Sequence, residues 1–415
     1  MYRKNIILNN WGKLIASSML TAIICSILAL SLKHFTEFFE ETVFHFVEQR
    51  NTWLFILLPT IGTTAIYFLR KYLFQGRKNK GITEIYKTLY ARREHLPLFK
   101  VASHYINGFL TVVFGGSTGV EVSTVVASAT VGNAMYQRKI AAKKYKIELI
   151  CAAVTAGVGV LFVNPMVGFL FSMEVIHRGW TKTKIIACSI AAVVSLCIIL
   201  LFNEQSMFQV AVNHWSYKAI PFMLLLSILA AFLAVYFTFM AIKVKSFFGN
   251  INNNFVRVNL GAITVGLFIF AIPALYGDSY HGLKEVLHAG TISWGMLILV
   301  VLLKPIAASL TLGAGGDGGV FAPSIVAGGF LGLMVCYLGN TFFGLDLVPI
   351  NFLVIGAAVA LSAAIFAPWT AAILACSLAP NAFVLIGPLV ICCFISWQLA
   401  KKILPYNVYT YEFHR

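Results

Sequence analysis

Long uncharged apolar runs alternate with short basic and glycine-rich stretches along this chain, and the runs predict its elements. Leu14–Leu32 carries no charge and approaches the roughly 20 residues that a helix needs to cross a bilayer. Trp53–Leu69 reads as a second span, broken by Pro59 and ended by Arg70. Between Gly81 and Leu161 the apolar pieces are short and interrupted by glycine, so some are expected to enter the membrane without crossing it. Ile185–Phe202 and Ala219–Ile242 are uninterrupted spans. Leu347–Ala400 has no charge but contains Pro349, Pro368, Pro380 and Pro388, so it must form several broken helices.

The polar interruption Gly315-Gly316-Asp317-Gly318-Gly319-Val320-Phe321-Ala322-Pro323 stands out in this background. The segment that follows, Ser324 to Val335, has the composition of a helix packed among others. Glycines that open a buried helix leave its first N–H groups at the positive dipole end, which is an anion site. The same loop reads equally well as glycine that eases helix packing. The chain also resembles itself. Gly116-Ser117-Thr118-Gly119-Val120 matches Gly319–Pro323, and Asn164-Pro165-Met166-Val167-Gly168 matches Ala367-Pro368-Trp369-Thr370-Ala371. Gly116 to Gly319 and Pro165 to Pro368 are both offsets of 203 positions. Two half-repeats, 13–203 and 219–400, with a tail 401–415 on the cytoplasmic side, are therefore expected. Broken helices at matching places in two halves point to a binding site near the membrane midplane.

Composition fixes the class. Of 415 residues, 59% are hydrophobic and 11% charged, against about a quarter charged in soluble domains. This predicts a single multi-pass membrane domain over 1–415. The net charge of +16 does not indicate a nucleic-acid binder, because the basic residues fall in runs between spans: Arg70–Lys80, Lys87–Lys100, Arg138–Lys146, Arg178–Lys184 and Lys243–Arg257. The acidic loop His34–Glu48 lacks them. That asymmetry is the positive-inside pattern and predicts both termini in the cytoplasm. The N-terminal apolar stretch, with Arg3, Lys4 and Lys13 and no small-residue cleavage site, reads as a retained start-transfer helix. All eight cysteines lie in apolar segments without CxxC pairs, so no metal site, disulfide framework or cofactor is expected.

Several motifs, in order, resemble the CLC family of chloride channels and chloride/proton antiporters, in its bacterial form without C-terminal CBS domains. Gly319-Val320-Phe321-Ala322-Pro323 matches the GxFxP signature, and Lys304–Thr311 is similar to the helix leading into it. Asn164-Pro165 through Phe171-Ser172-Met173-Glu174-Val175 is similar to the N-[AP]…LFxxE segment, and Pro405-Tyr406-Asn407-Val408-Tyr409 to the final Pro–Tyr turn. The resemblance implies an all-α integral membrane protein, an inverted repeat of two halves with broken and re-entrant helices. It also implies a homodimer in the lipid bilayer with one chloride-type anion path per subunit and no enzymatic activity. Carried over, Val320 and Phe321 behind Gly319 supply backbone donors and Tyr409 the phenol. On its own Tyr409 reads as an interfacial belt tyrosine.

Three departures from the family pattern bear on mechanism. The gate signature, usually G-K/R-E-G-P, is here Gly116-Ser117-Thr118-Gly119-Val120, so Thr118 stands where the resemblance places the gating carboxylate. Threonine does not titrate in the physiological range. Glu121, one turn along, is a substitute, although Thr118-x-x-Glu121 also reads as a capping box. At the inner proton position stands Val175 with Glu174 beside it, and Glu174 has His177 and Arg178 at helical spacing for pairing. Asn79-Lys80-Gly81-Ile82-Thr83 replaces GSGIP, putting Lys80 at the serine ligand, with its ammonium expected in cytoplasmic water. Together these predict passive, channel-like anion movement that depends little on external pH. The alternative is a proton-coupled chloride or fluoride antiporter using Glu121. A remote rival is an intramembrane serine hydrolase, since Gly115-Gly116-Ser117-Thr118-Gly119 matches GxSxG, but no acid/histidine pair accompanies it in sequence.

Overall fold

The computed structural model describes residues 2–77, 79–91, 94–138, 145–212, 214–289 and 293–413; side chains are described from residue 10 onward. The basic stretch Arg138–Lys146 falls largely outside these residues. Sixteen α-helices and short helical turns make up the regular structure among the described residues. Eight helical segments are long and apolar enough to cross a membrane.

The chain divides into two compact units. The first comprises Met1–His34, Asn79–Ile106 and Glu121–Gln205. It holds the start of α1 (Tyr2–Arg50), then α3 (Ile82–Tyr90), the start of α4 (Phe99–Val113), α5 (Glu121–Gln137), α6 (Lys146–Leu161), α7 (Pro165–Phe171) and α8 (Lys182–Leu201). Its core joins Leu14, Ala22 and Cys25 to Leu149, Ala152, Ala156, Ala187 and Ala191, small residues that let helix backbones approach. A Cβ on Gly168 would lie 2.0 Å from the Thr155 carbonyl oxygen, so α7 and α6 touch backbone to backbone. Lys146 closes the C-terminal end of α3, donating to the carbonyls of Thr88 (2.6 Å), Ala91 (3.1 Å) and Glu94 (2.8 Å).

The second unit comprises Phe35–Lys78, Asn107–Val120 and Ser206–Arg415. It holds α2 (Leu54–Tyr72), α9 (Ile220–Gly249), α10 (Asn254–Ala271), α11 (Tyr280–Ala289) and α12 (Trp294–Ala314). Then come α13 (Phe321–Phe343), α14 (Pro349–Ile365), α15 (Pro368–Leu378) and α16 (Ile386–Ile403). The most apolar window of α13 is 83% buried, against 28–50% in the other spans, so α13 is a core helix and not a lipid-facing one. It crosses α14 at Gly328, Gly332 and Gly356, where a Cβ on Gly332 would meet the Phe352 carbonyl oxygen at 2.0 Å.

Three expectations need correction. The acidic stretch His34–Glu48 is not a loop, because α1 runs unbroken from Tyr2 to Arg50. Its polar residues include Thr36, 2% exposed, and Glu40, 6% exposed, so they face protein and the helix need not end where the apolar run does. Pro59 does not break α2; it sits inside the helix, and its carbonyl accepts from Thr63 Oγ1 at 2.7 Å. Arg70 does more than mark topology, since its guanidinium donates to the Gly315 carbonyl at 2.7 Å and lies 3.9 Å from Asp317. The proline-rich segment 347–400 does resolve into three helices, with Pro349 and Pro368 at helix starts.

Candidate anion and gate site

The two glycine loops of the second unit grip each other by matched hydrogen bonds. Gly115 and Gly315 both have positive φ, +82° and +115°, and each follows a helix that ends in a threonine turn. Gly116 N–H donates to the Thr111 carbonyl at 2.7 Å, and Gly316 N–H to that of Thr311 at 2.9 Å. Across the loops, Ser117 N–H donates to Thr311 Oγ1 at 3.1 Å, and Asp317 N–H to Thr111 Oγ1 at 2.9 Å. Gly119 and Gly319 form an antiparallel bridge. The equivalence is therefore Gly115–Val120 with Gly315–Val320, an offset of 200 at this site. The sequence match at 203 was three residues out of register, because it aligned Gly116-Ser117 with Gly319-Val320. The offset of 203 does hold at Pro165 and Pro368, which both open short helices.

Thr118 is fully buried in this clasp. Its Oγ1 donates to the Gly319 carbonyl at 2.8 Å and accepts from Gly319 N–H at 2.9 Å. The capping-box expectation does not hold here. α5 begins at Glu121 itself, and the Thr118 hydroxyl is engaged by Gly319. Val320 and Phe321, each 1% exposed, start α13 at the positive end of its dipole. The tail returns to this point. An Asn407 turn, with Oδ1 accepting from the N–H of Tyr409 at 3.0 Å and of Thr410 at 3.1 Å, sets the Tyr409 ring 6.2 Å from that of Phe321. Tyr409 is 6% exposed, which answers the belt alternative, since a belt tyrosine would be open to the interface. Lys245 Nζ, 2.8 Å from Glu412, ties the tail to α9.

In the first unit, Gly81 caps α3 with φ +61°, and a Cβ there would lie 3.4 Å from Val122, so the starts of α3 and α5 meet. Ile82 is fully buried and Glu121 is 4% exposed. Lys80 is exposed; its N–H donates to Glu84 Oε1, and Glu84 in turn pairs with Lys100. Glu174 and Val175 lie in a π-helical turn, Ser172–Ile176, whose Val175 carbonyl accepts from Tyr86 O–H at 2.9 Å. Arg178 Nε donates to the Glu174 backbone carbonyl at 3.3 Å.

One group at the site was passed over in the sequence. Lys304 is fully buried, and its ammonium donates to Ser117 Oγ (2.9 Å), the Gly277 carbonyl (3.0 Å) and Ser279 Oγ (2.7 Å). It is the single charge in α12, and a lone ionisable residue in an apolar span was the available signal. Through these three contacts Lys304 ties the 277–279 turn to the gate loop at Ser117.

The interlocked glycine loops and the tyrosine that returns to the start of α13 belong to an all-helical fold with eight segments able to cross a membrane. Residues 61–401 match the family described as voltage gated chloride channel, and the chain belongs to that family. It is therefore a multi-pass anion-transport protein with the CLC inverted-repeat fold. It is 22% identical over 366 residues to the H(+)/Cl(-) exchange transporter ClcA of Klebsiella pneumoniae, covering 84% of this chain and 75% of that one. Among solved structures it resembles a CLC-type fluoride/proton antiporter, with TM-score 0.79 and 20% identity over 95% of this chain and 96% of the other. It also resembles a slow cyanobacterial Cl-/H+ antiporter, with TM-score 0.81 and 19% identity over 97% of each chain.

Proposed function

We propose that this protein is a proton-coupled anion antiporter working on chloride. Thr118 and Val175 by themselves point to uncoupled, passive movement, but the Klebsiella relative and the two solved structures above are named as an exchanger and antiporters, which supports the coupled alternative. The observation that carries this reading is Glu121, a carboxylate 4% exposed in the first turn of α5. Thr118 is engaged as a fastener between the loops, so the proton falls to this neighbouring acid. In the second unit, anion binding is assigned to the N–H groups of Val320 and Phe321, with Gly319, and to the Tyr409 hydroxyl; in the first unit the α3 start at Gly81 and Ile82 is assigned the same kind of role. Gly119 and Val120 shape the gate, and Glu174 and Val175 line the inner route. Donors without a fixed counter-charge replace hydration and still let the ion leave. A homodimer of two half-repeats, 13–203 and 219–400, in a bacterial inner membrane with cytoplasmic termini, completes the proposal.

The test is purified protein in chloride-loaded liposomes diluted into low-chloride buffer. Chloride leaving should draw protons inward against their gradient, and Glu121→Gln should cut that proton movement by about 10²-fold while chloride efflux continues. Equal proton movement in wild type and variant would remove Glu121 from the mechanism.

Lys80 has a smaller role, recruiting anions from its exposed position. Lys80→Ser should lower chloride flux roughly two- to threefold at about 0.01 M salt and hardly at all near 0.15 M, where charges are screened beyond about 8 Å. Flux at two ionic strengths checks this. A change in anion selectivity that ignores salt would make Lys80 a direct ligand.

A further inference from the structure

Beyond Lys304 the second unit contains an acidic cavity that the proposed mechanism does not use. It has a volume of about 680 Å3 and is lined from α1 by Glu37, Glu40, Glu41 and His45. From the turn before α11 it receives Asp278, and from α11 it receives His281, Lys284 and Glu285. At its floor one carboxylate oxygen of Glu40, one of Asp278 and a ring nitrogen of His281 lie within 4.8 Å of one another. The turn is built to hold Glu40. Gly277 has φ +53°, and a Cβ on it would stand 1.9 Å from Glu40 Oε1. Asp278 N–H donates to that same oxygen at 3.1 Å, and Ser279 carries the strained φ of +70° that a non-glycine residue rarely adopts. Lys304 binds the other side of the turn, through Gly277 and Ser279, and reaches Ser117 of the gate loop with its third donor.

The charges around the turn do not balance when both acids are ionised. Apart from the cavity-side charges Lys284, Glu37 and Glu41, buried Glu40 and half-buried Asp278 face one fully buried ammonium, Lys304, which acts electrostatically on both. One negative charge is left over, and a proton is the smallest thing that can neutralise it. We propose that Glu40 and Asp278 form a single-proton site, filled from the acidic cavity, whose occupancy controls the gate loop through Lys304. With one proton shared, the remaining carboxylate offsets Lys304 and the ammonium stays on Ser117. When the proton leaves to water, the second carboxylate draws Lys304 off Ser117, so the gate loop loses the positive charge beside it and an arriving anion is less favoured. Proton and anion thus favour each other at the gate. Burial, before any other cause, raises the Asp278 carboxyl above its usual range, and it lowers His281 to about 4, leaving His281 neutral near pH 7. Lys284 works the other way on Asp278, and Glu37 adds to the negative field at Glu40. The inference rests on the coupled-antiport reading for its purpose but not for its test.

The full-length protein in liposomes provides that test, as chloride efflux against the pH on the cavity side. Wild-type flux should rise of order tenfold as that pH falls, the scale of one partly screened unit charge near the ion. Glu40→Gln and Asp278→Asn should each flatten the profile at the high-flux level, while Glu41→Gln keeps it. Infrared difference spectra across the same pH step should lose the carboxylic-acid carbonyl band in either pair variant, a readout that needs folded protein but no transport. Wild-type profiles and bands in both variants would overturn the proposal. A wild type that moves no protons on a chloride gradient, yet loses its pH profile in Glu40→Gln, would remove antiport and keep the site.

Discussion

Thr118→Val is expected to lower the stability of the folded protein by about 2–4 kcal/mol and to cut chloride flux about tenfold or more. The hydroxyl is both donor and acceptor to Gly319, and it is fully buried. Valine keeps the volume but leaves the Gly319 N–H and carbonyl without it, at about 1–3 kcal/mol for each stranded group. Gly319 leads directly into Val320 and Phe321, so slack in the clasp moves the anion donors as well. Thr118→Ser retains the hydroxyl and should recover most of both losses. Thermal unfolding in detergent and liposome flux of the two variants provide the check. A valine variant as stable and as active as wild type would mean that the loops are held by the Thr111 and Thr311 bonds alone.

Lys304→Met should be the more damaging change, destabilising by about 3–5 kcal/mol, the usual result of removing one partner from a buried charge group. Methionine matches the stem of lysine, so the loss is electrostatic and not a cavity effect. Ser117 Oγ, Gly277 O and Ser279 Oγ lose their donor, and Glu40 and Asp278 lose the cation beside them. Adding Glu40→Gln to Lys304→Met should return part of the stability, because one uncompensated acid then disappears. Unfolding midpoints of the two single variants and the double give the coupling directly. Additive losses would show that Lys304 and Glu40 do not interact.

What could be read in the sequence was local. The glycine loop, the helix starts at Pro165, Pro349 and Pro368, and the motifs ending in Tyr409 all depend on residues adjacent in the chain. The family followed from them. What escaped depends on partners far apart. Nothing near Glu40 in sequence reveals that Gly277 makes room for its carboxylate, so α1 seemed to end where its apolar run ends. The repeat was misregistered at its first motif because glycine and valine recur every few positions there. Only the paired bonds of Thr111 and Thr311 fix the offset at 200. Thr118 was legible as a missing carboxylate but not as a fastener, since Gly319 lies 201 positions away.

The central claim, coupled exchange, is tested most directly by the zero-current potential of the reconstituted protein in a planar bilayer. Chloride is held equal on both sides while a pH gradient is imposed. An antiporter's zero-current potential must then move away from zero in proportion to the pH gradient, and Glu121→Gln should abolish the shift. A potential that stays at the chloride equilibrium value, whatever the pH gradient, would contradict the account and restore passive anion movement.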